Sequence, residues 1–343
     1  MSRAPMLIVA LLGFAGIVQA APLTLRVLGQ PTGSGLIQQK MEQPFFEHFA
    51  QHSTMDVKVG YVPLDVSGIP ATNELRVLKN GLFNIVSIRG SQVSGDAPTV
   101  LGFDLVGLNT DYASGKVHVK AFLPIVDADL QKRFGVKLLG MWPAGPQVIF
   151  CKPRIRSLAD LKNLKVRVGD QSAAAFVAKF GAVGVPLSFG EVQQALARGV
   201  VDCAITGPAS ANSAGWPEVT TTVLPVPLQL AMNGYAINLQ TWNKLSPADQ
   251  KKLQRAIDTL DAKIWAYSEE LYKDSMRCNT GQQPCEHGSL YHLTAAPVTQ
   301  SDLASVKQAL FKTSLPLWTK ECDAVNPSCE KDWLATVGAT LKH

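Results

Sequence analysis

The chain has 343 residues, of which 46% are hydrophobic and 17% are charged, and it contains 27 glycines, 21 prolines and 6 cysteines. This composition excludes a disordered chain, a collagen, a coiled coil and a small disulfide scaffold, and the net charge of +5 is too small to indicate a nucleic-acid partner. Because a single hydrophobic core rarely grows beyond about 250–300 residues, the length predicts two domains.

The first twenty residues have the pattern of a secretory signal peptide. Arg3 supplies a positive charge, residues 7–18 are apolar apart from small residues, and small side chains stand at Val18 and Ala20. The apolar stretch is only about a dozen residues long, whereas a membrane-spanning helix needs about 20. We therefore predict cleavage after Ala20 and export to the periplasm, and no later apolar run is long enough to anchor the product.

Short β-branched runs alternate with longer helical patterns from Leu23 onward, which predicts two successive α/β lobes. Ser157 and Ser188 each stand three residues before a carboxylate, a spacing that predicts helix starts and not active sites. The predicted elements are Leu25–Leu28, Gln38–Phe49, Val57–Tyr61, Glu74–Leu78 and Asn84–Ile88 in the first series, and Gln147–Phe150, Ser157–Leu161, Val166–Val168, Ala173–Phe180, Glu191–Ala197 and Val201–Ile205 in the second.

A long helix is predicted from residue 247 to about 276. Ser246 is a suitable N-cap, Pro247 suits the first helical position, and apolar residues follow at steps of three and four. Such a helix is roughly 45 Å long and would cross both lobes. A further helix is predicted near Ser301–Phe311. The expected organisation is a signal peptide at 1–20, a first lobe of 21–144 plus 233–272, and a second lobe of 145–232 plus 273–343.

The six cysteines agree with export to an oxidising compartment. Six residues that include turn formers separate Cys278 from Cys285, and six separate Cys322 from Cys329, so we predict that each pair closes a short loop. The other two, at positions 151 and 203, are either a third bridge or two buried thiols. A zinc site is the weaker interpretation, because no histidine completes a ligand set of suitable spacing.

Motifs of hydrolases, dinucleotide-binding enzymes and phosphate-binding loops do not occur in the sequence. His48 and His52 have the helical spacing of metal ligands, but the general-base glutamate between them is missing, so a solvated helix face is the better interpretation. Ser328 and Lys331 match a Ser-x-x-Lys pattern by chance, in a loop with a predicted disulfide. We therefore expect no catalysis, no cofactor and no metal.

Arg167 is the most informative single residue of the chain. It lies in a short predicted strand that runs through Gly169 into a helix start near Ser172. An arginine in this position can present two parallel donors to a carboxylate while the first amides of the helix point the same way. Taken alone, the segment also fits an arginine on an edge strand that is held by a surface acid.

Three blocks around this arginine closely resemble one family, the DctP-type extracytoplasmic solute receptors of tripartite ATP-independent periplasmic (TRAP) transporters. The blocks are LADLKNLKVRV at 158–168, FGAVGVPLSFGEVQQAL at 180–196 and GVVD at 199–202. The resemblance implies a two-lobed periplasmic binding protein fold, type II-like, that closes over an organic acid, with a long helix that braces both lobes.

The resemblance also implies candidate ligand-binding residues. Arg167 matches the arginine that pairs with the ligand carboxylate, Phe189 matches an aromatic that lines the cleft, and Thr206 lies near a polar ligand-facing position. The chain departs from the family at Cys203, where a glycine is usual, and at Gln147, where many dicarboxylate receptors have a second arginine. Because Gln147 is neutral, we expect a monocarboxylate with an aromatic or branched apolar body.

Three further residues are weaker candidates. Arg89 follows a predicted strand of the first lobe and would reach the cleft if the lobe topology holds. Asn212 and Trp216 could supply an amide and a ring to the ligand.

The leading hypothesis is a monomeric receptor that binds a small organic acid and delivers it to TRAP permease subunits. A secreted enzyme acting on a small carboxylate, and a sensing receptor linked to a signalling partner, are the alternatives.

Overall fold

The computed structural model describes residues 23–341, and the structural statements below refer to that part of the chain. The predicted signal peptide and its cleavage after Ala20 lie outside the described residues. Two β-sheets with helices packed against them form an α/β architecture, which confirms the predicted fold class. Within residues 23–341, no helix combines the length and the apolar character that crossing a bilayer requires.

The first sheet has five strands. β1 (Leu23–Gly29) pairs in parallel with β2 (Val57–Pro63) and β3 (Ile85–Arg89), while β10 (Leu230–Asn238) runs antiparallel between β3 and β4 (Val136–Pro146). The order across the sheet is β2-β1-β3-β10-β4. We call this sheet and the helices packed on it the first lobe, and they share one large hydrophobic core.

The second sheet has six short strands and is the centre of the second lobe. Its order is β11-β9-β5-β8-β6-β7, with parallel pairs at both edges and antiparallel pairs in the middle. Two separate hydrophobic clusters cover its faces. The strands are β5 (Val148–Cys151), β6 (Lys165–Val168), β7 (Val183–Pro186), β8 (Cys203–Thr206), β9 (Thr222–Leu224) and β11 (Thr294–Ala295).

The chain crosses between the lobes at two adjacent strand connections. β4 passes into β5 through Gln147, and β9 returns to β10 through residues 225–229. The two connections are hydrogen-bonded to each other, since Gln147 N donates to Gln229 O at 2.8 Å and Leu228 N donates to Gln147 O at 3.0 Å. Gln147 therefore lies at the junction of the lobes.

Each predicted helical segment contains a helix in the structure, although about half of the α-helices were not predicted, and both predicted helix starts at Ser157 and Ser188 form reciprocal capping boxes. The longest helix of the first lobe, α7, was not predicted. The helices are α1 (Gln43–Glu47), α2 (Phe49–Ser53), α3 (Leu64–Ser67), α4 (Glu74–Lys79), α5 (Gly90–Val93), α6 (Pro98–Leu101), α7 (Tyr112–Phe134), α8 (Gln171–Ala178), α9 (Val192–Ala197), α10 (Pro208–Ser213), α11 (Leu239–Lys244), α12 (Pro247–Asn279), α13 (Gln300–Ala309), α14 (Leu315–Asp323) and α15 (Cys329–Thr336).

The 33-residue helix α12 spans both lobes, as predicted. Ser246 caps its start, where Ser246 Oγ accepts from Asp249 N at 3.1 Å. Its first half buries Leu253, Ile257 and other apolar residues in the first-lobe core. Its last residue, Asn279, donates to Pro208 O of the second lobe at 3.0 Å. At about 1.5 Å per residue the helix is roughly 50 Å long and braces the two lobes against each other.

The C-terminal segment differs from the predicted lobe assignment in one respect. The sequence analysis grouped residues 273–343 with the second lobe, whereas α14 and α15 pack on the first. The indoles of Trp318 and Trp333 are fully buried in the first-lobe core, where they donate to Pro98 O at 2.7 Å and to Gly102 O at 3.0 Å. Burial of these two large rings places α14 and α15 on the first lobe. The sequence analysis assigned them to the second lobe because local sequence patterns do not indicate which core an aromatic side chain will join.

All six cysteines form disulfides. Cys278–Cys285 and Cys322–Cys329 are the two predicted short-loop bridges. The third bridge, Cys151–Cys203, joins directly opposed residues of the antiparallel strands β5 and β8. This bridge ties β5, which begins at the junction of the lobes, to the neighbouring strand β8 of the second sheet.

Candidate functional site

A cavity lies between the lobes, where the carboxyl ends of strands from both sheets meet. Arg89 ends β3, Thr206 ends β8, Gln30 follows β1, and Arg167 stands one residue before the end of β6, and all four line the cavity. Ligands of open α/β sheets bind outside the carboxyl ends of strands. The cavity volume is about 110 Å³, and one enclosed water needs about 10–15 Å³, so there is room for a small molecule of roughly ten non-hydrogen atoms.

Arg167 is held rigidly by backbone carbonyls of the second lobe. Its Nε and Nη2 donate to Leu187 O at 3.0 and 2.9 Å, and its Nη1 donates to Ile205 O at 3.0 Å. The side chain is buried, and burial lowers its pKa to about 10, against the attraction of Asp170. A guanidinium has five N–H bonds, so one remains on each terminal nitrogen for a further acceptor. This arrangement suits a carboxylate, which accepts two parallel hydrogen bonds.

Arg89 enters the same cavity from the first lobe but is already paired. Its Nε lies 3.2 Å from Oε1 of the buried Glu74, and its backbone N donates to Glu74 Oε2 at 2.9 Å. Burial raises the pKa of Glu74 to about 7, although the charge and N–H groups of Arg89 oppose the shift. The hydrogen bonds to Glu74 therefore fix Arg89 in place, but a carboxyl group whose pKa is about 7 neutralises the charge of Arg89 only in part at neutral pH.

Two carboxyl groups, that of the buried Asp104 and that of the half-buried Asp170, face the cavity from opposite lobes. Asp170 caps the start of α8, where it accepts from Ala173 N at 2.9 Å, and Asp104 accepts from Met232 N at 3.1 Å. Burial raises the pKa of both groups, and their mutual repulsion raises the pKa of Asp104 further. The helix-start amides and the charge of Arg167 act against this shift at Asp170.

A hydrogen-bond network centred on Glu42 organises the first-lobe side. Glu42 is fully buried and accepts four hydrogen bonds: from Gln30 N at 2.6 Å, Tyr61 Oη at 2.8 Å, Ser87 Oγ at 2.7 Å and Tyr235 Oη at 3.1 Å. Burial raises the pKa of Glu42, and these four donors act against that shift. The network fixes the residues beside it, including Gln30 of the cavity wall.

Aromatic side chains form the apolar part of the wall. Phe189 lines the cavity, and its ring lies 5.5 Å from that of Trp216, which is fully buried behind it. Trp216 in turn contacts Phe150 edge to face at 6.2 Å. Trp142 lines the cavity from the first lobe. A ligand in this space would therefore contact one aromatic ring from each lobe.

Five of the seven predicted site residues come together in this cavity: Arg89, Gln147, Arg167, Phe189 and Thr206. The other two do not line it. Trp216 supports Phe189 from behind, as described above. Asn212 instead holds the C-terminal segment, because its amide donates to Asn279 Oδ1 at 2.7 Å and to Ser289 O at 2.8 Å.

The sequence analysis missed several lining residues, although some carried a signal. Gln30 directly follows a predicted strand, which is the position where cleft residues of α/β folds gather. Asp170 lies between Arg167 and the predicted helix start near Ser172, but it was not singled out. Asp104 is a lone carboxylate within the apolar stretch 97–108. Gln38 gave no local signal, because only the packing of the first lobe brings it to the cavity.

The histidines singled out in the sequence have other contacts. His48 Nδ1 lies 2.9 Å from Pro44 O, and the ring of His52 stacks on Phe45 with centroids 5.0 Å apart. Among the described residues, the one cluster with metal-ligand geometry is Glu270, Glu286 and His287, whose two glutamates are exposed. None of these three residues lines the cavity, and exposed acidic groups of this kind are common without a metal.

A family model for bacterial extracellular solute-binding proteins, family 7 (DctP), matches residues 36–285 of the chain. This range contains the resemblance blocks, the two strand connections between the lobes and almost all of the cavity lining. The family that the sequence analysis proposed from three short blocks is thereby confirmed.

Solved structures share the fold over nearly the whole chain. The receptor DctP7 of Bordetella pertussis, which binds pyroglutamic acid, has a TM-score of 0.76 and 18% identity, with 90% of this chain and 99% of that chain covered. A TRAP periplasmic solute-binding protein of Desulfovibrio salexigens with bound orotic acid has a TM-score of 0.79 and 18% identity, with 93% and 99% covered. A Roseobacter denitrificans protein with bound β-D-glucuronate has a TM-score of 0.77 and 18% identity, with 91% and 99% covered.

Proposed function

The chain belongs to family 7 of the bacterial extracellular solute-binding proteins, and we propose that it captures a small organic acid anion between its lobes and delivers it to TRAP permease subunits. The observation that carries this proposal is Arg167, a buried arginine with two N–H bonds left for a ligand in an interlobe cavity. The receptor acts as a monomer in the periplasm, after removal of residues 1–20, and performs no catalysis. In keeping with a binding role, no histidine or cysteine lines the cavity within residues 23–341.

The proposed ligand is a monocarboxylate whose body has an aromatic or branched apolar face. Phe189 and Trp142 support this part of the proposal, since both line the cavity. A second carboxylate would meet Asp170 and an arginine, Arg89, whose Nε and backbone N already bind Glu74. We expect such monocarboxylates to bind more tightly than small dicarboxylates such as succinate.

A thermal-shift screen of carboxylic acids on the mature protein tests the proposal. The screen includes the acids named for the similar structures, pyroglutamate, orotate and glucuronate, together with benzoate, isovalerate and succinate. A ligand at 100 times its Kd stabilises a protein by about 2.7 kcal/mol, which raises the melting temperature by a few degrees. Calorimetry then gives the Kd of each acid that shifts the transition.

Two results would contradict parts of the proposal. If no carboxylic acid raises the melting temperature while neutral sugars or amines do, the protein is not an organic acid receptor. If succinate binds more tightly than every monocarboxylate, the ligand class is wrong but the receptor function stands.

A further inference from the structure

The cavity residues carry several buried polar atoms without a hydrogen-bond partner among the described residues. Nearly all buried polar atoms in folded proteins are hydrogen-bonded. Several unpaired polar atoms around one cavity therefore indicate that the bound ligand supplies the missing hydrogen-bond partners. The atoms are Gln30 Oε1, Ser34 Oγ, Gln38 Oε1, Asp104 Oδ1, Trp142 Nε1 and Gln229 Oε1.

The amide of Gln30 has a fixed orientation. Its Nε2 donates to Ser87 O at 3.2 Å and to Ser87 Oγ at 2.9 Å. A backbone carbonyl accepts only, and the Ser87 hydroxyl already gives its proton to Glu42. Rotating the amide would therefore place Oε1 against two acceptors. Gln30 Oε1 must remain the unpaired atom, and it can only accept.

The amide of Gln38 is held in one orientation by two neighbouring side chains that accept hydrogen bonds from it. Its Nε2 donates to Gln43 Oε1 at 3.2 Å and to Tyr61 Oη at 3.0 Å. Gln43 gives its own N–H to Glu47 at 2.8 Å, and Tyr61 gives its proton to Glu42, so both atoms beside Gln38 act as acceptors. The unpaired Oε1 of Gln38, like that of Gln30, can only accept a hydrogen bond.

We propose that the ligand carries, besides its carboxylate, at least one N–H or O–H group that donates to Gln30 and Gln38. This inference rests on the proposed function and narrows it to amide-, lactam- or hydroxyl-bearing acids, at the expense of plain hydrocarbon acids. The carboxylate lies on Arg167 of the second lobe, and the donor group faces the first lobe. Both glutamine side chains are 1% exposed, so an acid without a donor would leave their oxygens buried and unpaired.

Matched pairs of acids test the inference on the unmodified mature protein. One pair is a five-membered lactam carboxylate and the cyclopentanone carboxylate in which CH₂ replaces the ring N–H. The other is α-hydroxyisovalerate and isovalerate, which differ by one hydroxyl. Each pair keeps the carboxylate and nearly the same shape. Calorimetry should give the donor-bearing acid an affinity about 5- to 100-fold higher, the range expected for one buried unpaired polar group.

Two variants test whether the two glutamines cause the higher affinity for the donor-bearing acid of each pair. Gln30→Met and Gln38→Met remove the acceptors at similar side-chain length, and we expect each to reduce the preference to about threefold or less. Gln51→Met changes an exposed glutamine of α2 and should keep the full preference. Arg167→Ala should weaken the binding of both acids of a pair by the same factor, because both carry the carboxylate. This variant therefore measures the contribution of the carboxylate independently of that of the donor group.

The outcomes separate this inference from the proposed function. If the two acids of a pair bind the wild-type protein equally and Arg167→Ala weakens both, the receptor function stands and the donor inference is wrong, because water then satisfies the glutamines. If neither pair binds, the tightest acid of the wider screen decides: an acid without N–H or O–H donors overturns the inference, and one with them supports it. If no acid binds at all, the proposed function itself fails.

Discussion

The two walls of the cavity are built in different ways. The first-lobe wall presents the acceptor oxygens of Gln30 and Gln38 beside the donors of Arg89 and Trp142, and side-chain hydrogen bonds of the Glu42 network fix the two glutamines. The second-lobe wall, formed by Arg167, Asp170 and Phe189, offers a charged donor that backbone carbonyls hold. An asymmetric ligand, with an anionic end and a donor-bearing end, can satisfy both walls in one orientation only.

The two walls also differ in how sensitive the positions of their side chains are to substitution. Backbone carbonyls keep their positions as long as the strands form, so Arg167 depends on the second sheet and on little else. The glutamines of the first-lobe wall depend on particular side chains, and one substitution in their network can release both. We therefore expect the second-lobe wall to supply most of the affinity and the first-lobe wall to supply most of the selectivity.

Removing the charge of the second-lobe wall should have the largest effect. Truncating one partner of a buried, hydrogen-bonded charge pair costs about 2–5 kcal/mol, so Arg167→Ala should weaken binding of the cognate acid by roughly 30-fold to several thousand-fold. Arg167→Lys should also bind less well, since an ammonium lacks the two parallel donors. Calorimetry on both variants measures the loss.

The control for this prediction is Arg198→Ala, which removes an exposed arginine of the same lobe and should leave the Kd unchanged. If Arg167→Ala stays folded and binds within about threefold of wild type, the carboxylate lies elsewhere and the assignment of the two walls is wrong.

Disturbing the network behind the first-lobe wall should have an intermediate effect. Glu42→Gln replaces one acceptor oxygen by an NH₂ group that faces existing donors. We expect about tenfold weaker binding and a loss of about 1–3 kcal/mol in the free energy of unfolding, because at least one buried donor loses its acceptor. Calorimetry and urea unfolding measure the two quantities.

Glu330→Gln, at an exposed glutamate of α15, is the matched control and should change neither quantity. If Glu42→Gln lowers the stability but leaves the affinity and the choice between matched acids as in wild type, the network supports the lobe and does not position the glutamines.

The sequence predicted the second-lobe wall better than the first. Arg167 and Phe189 lie in one stretch of local patterns that strand and helix rules can interpret. In contrast, Asp104 comes to the cavity from a loop after α6, and Gln38 from an irregular helical turn at residues 38–42. Long-range packing brings these two side chains to the cavity, and no residue spacing in the sequence predicts that placement.

Two secondary-structure elements of the first lobe were not predicted, for the same physical reason. Helix α7 was missed because Gly115 and Pro124 interrupt its helical pattern. The central strand β10 was missed because Asn233 and Gly234 interrupt its apolar run. Both elements form only when tertiary contacts outweigh poor local propensity. Both lobes therefore contain strands that local rules did not predict, since β7, β9 and β11 of the second lobe were also missed.

Residues behind the second-lobe wall should have a small effect on affinity. Trp216→Phe keeps an aromatic ring behind Phe189 and should lower the stability by about 1–2 kcal/mol, because it leaves a cavity in the core. We expect the Kd to stay within about threefold of wild type. Asn212→Ala should likewise keep the affinity, since its contacts hold the C-terminal segment. A larger loss of affinity in calorimetry would show that the second-lobe wall extends to these residues.

The smallest expected effect is a pH dependence that belongs to the first-lobe wall. The pKa of Glu74 is raised from 4.5 to about 7 in the folded protein. Between these two values the folded state keeps a proton that the unfolded state has lost, so the stability falls as pH rises through this window. Asp104 and Glu42 have raised pKa values and act in the same direction, whereas His118, whose pKa is lowered by burial, opposes them.

Because several groups titrate in this range, the contribution of Glu74 is measured as a difference. Melting temperatures of ligand-free wild type and Glu74→Gln are compared between about pH 5 and about pH 7, where the other groups contribute equally to both proteins. The variant has no carboxyl to ionise at this position, so its stability should fall less steeply as pH rises. Parallel curves for the two proteins would mean that Glu74 stays ionised beside Arg89 throughout. Arg89 would then be fully neutralised at every pH of the window, which would leave Arg167 as the one arginine able to bind the carboxylate.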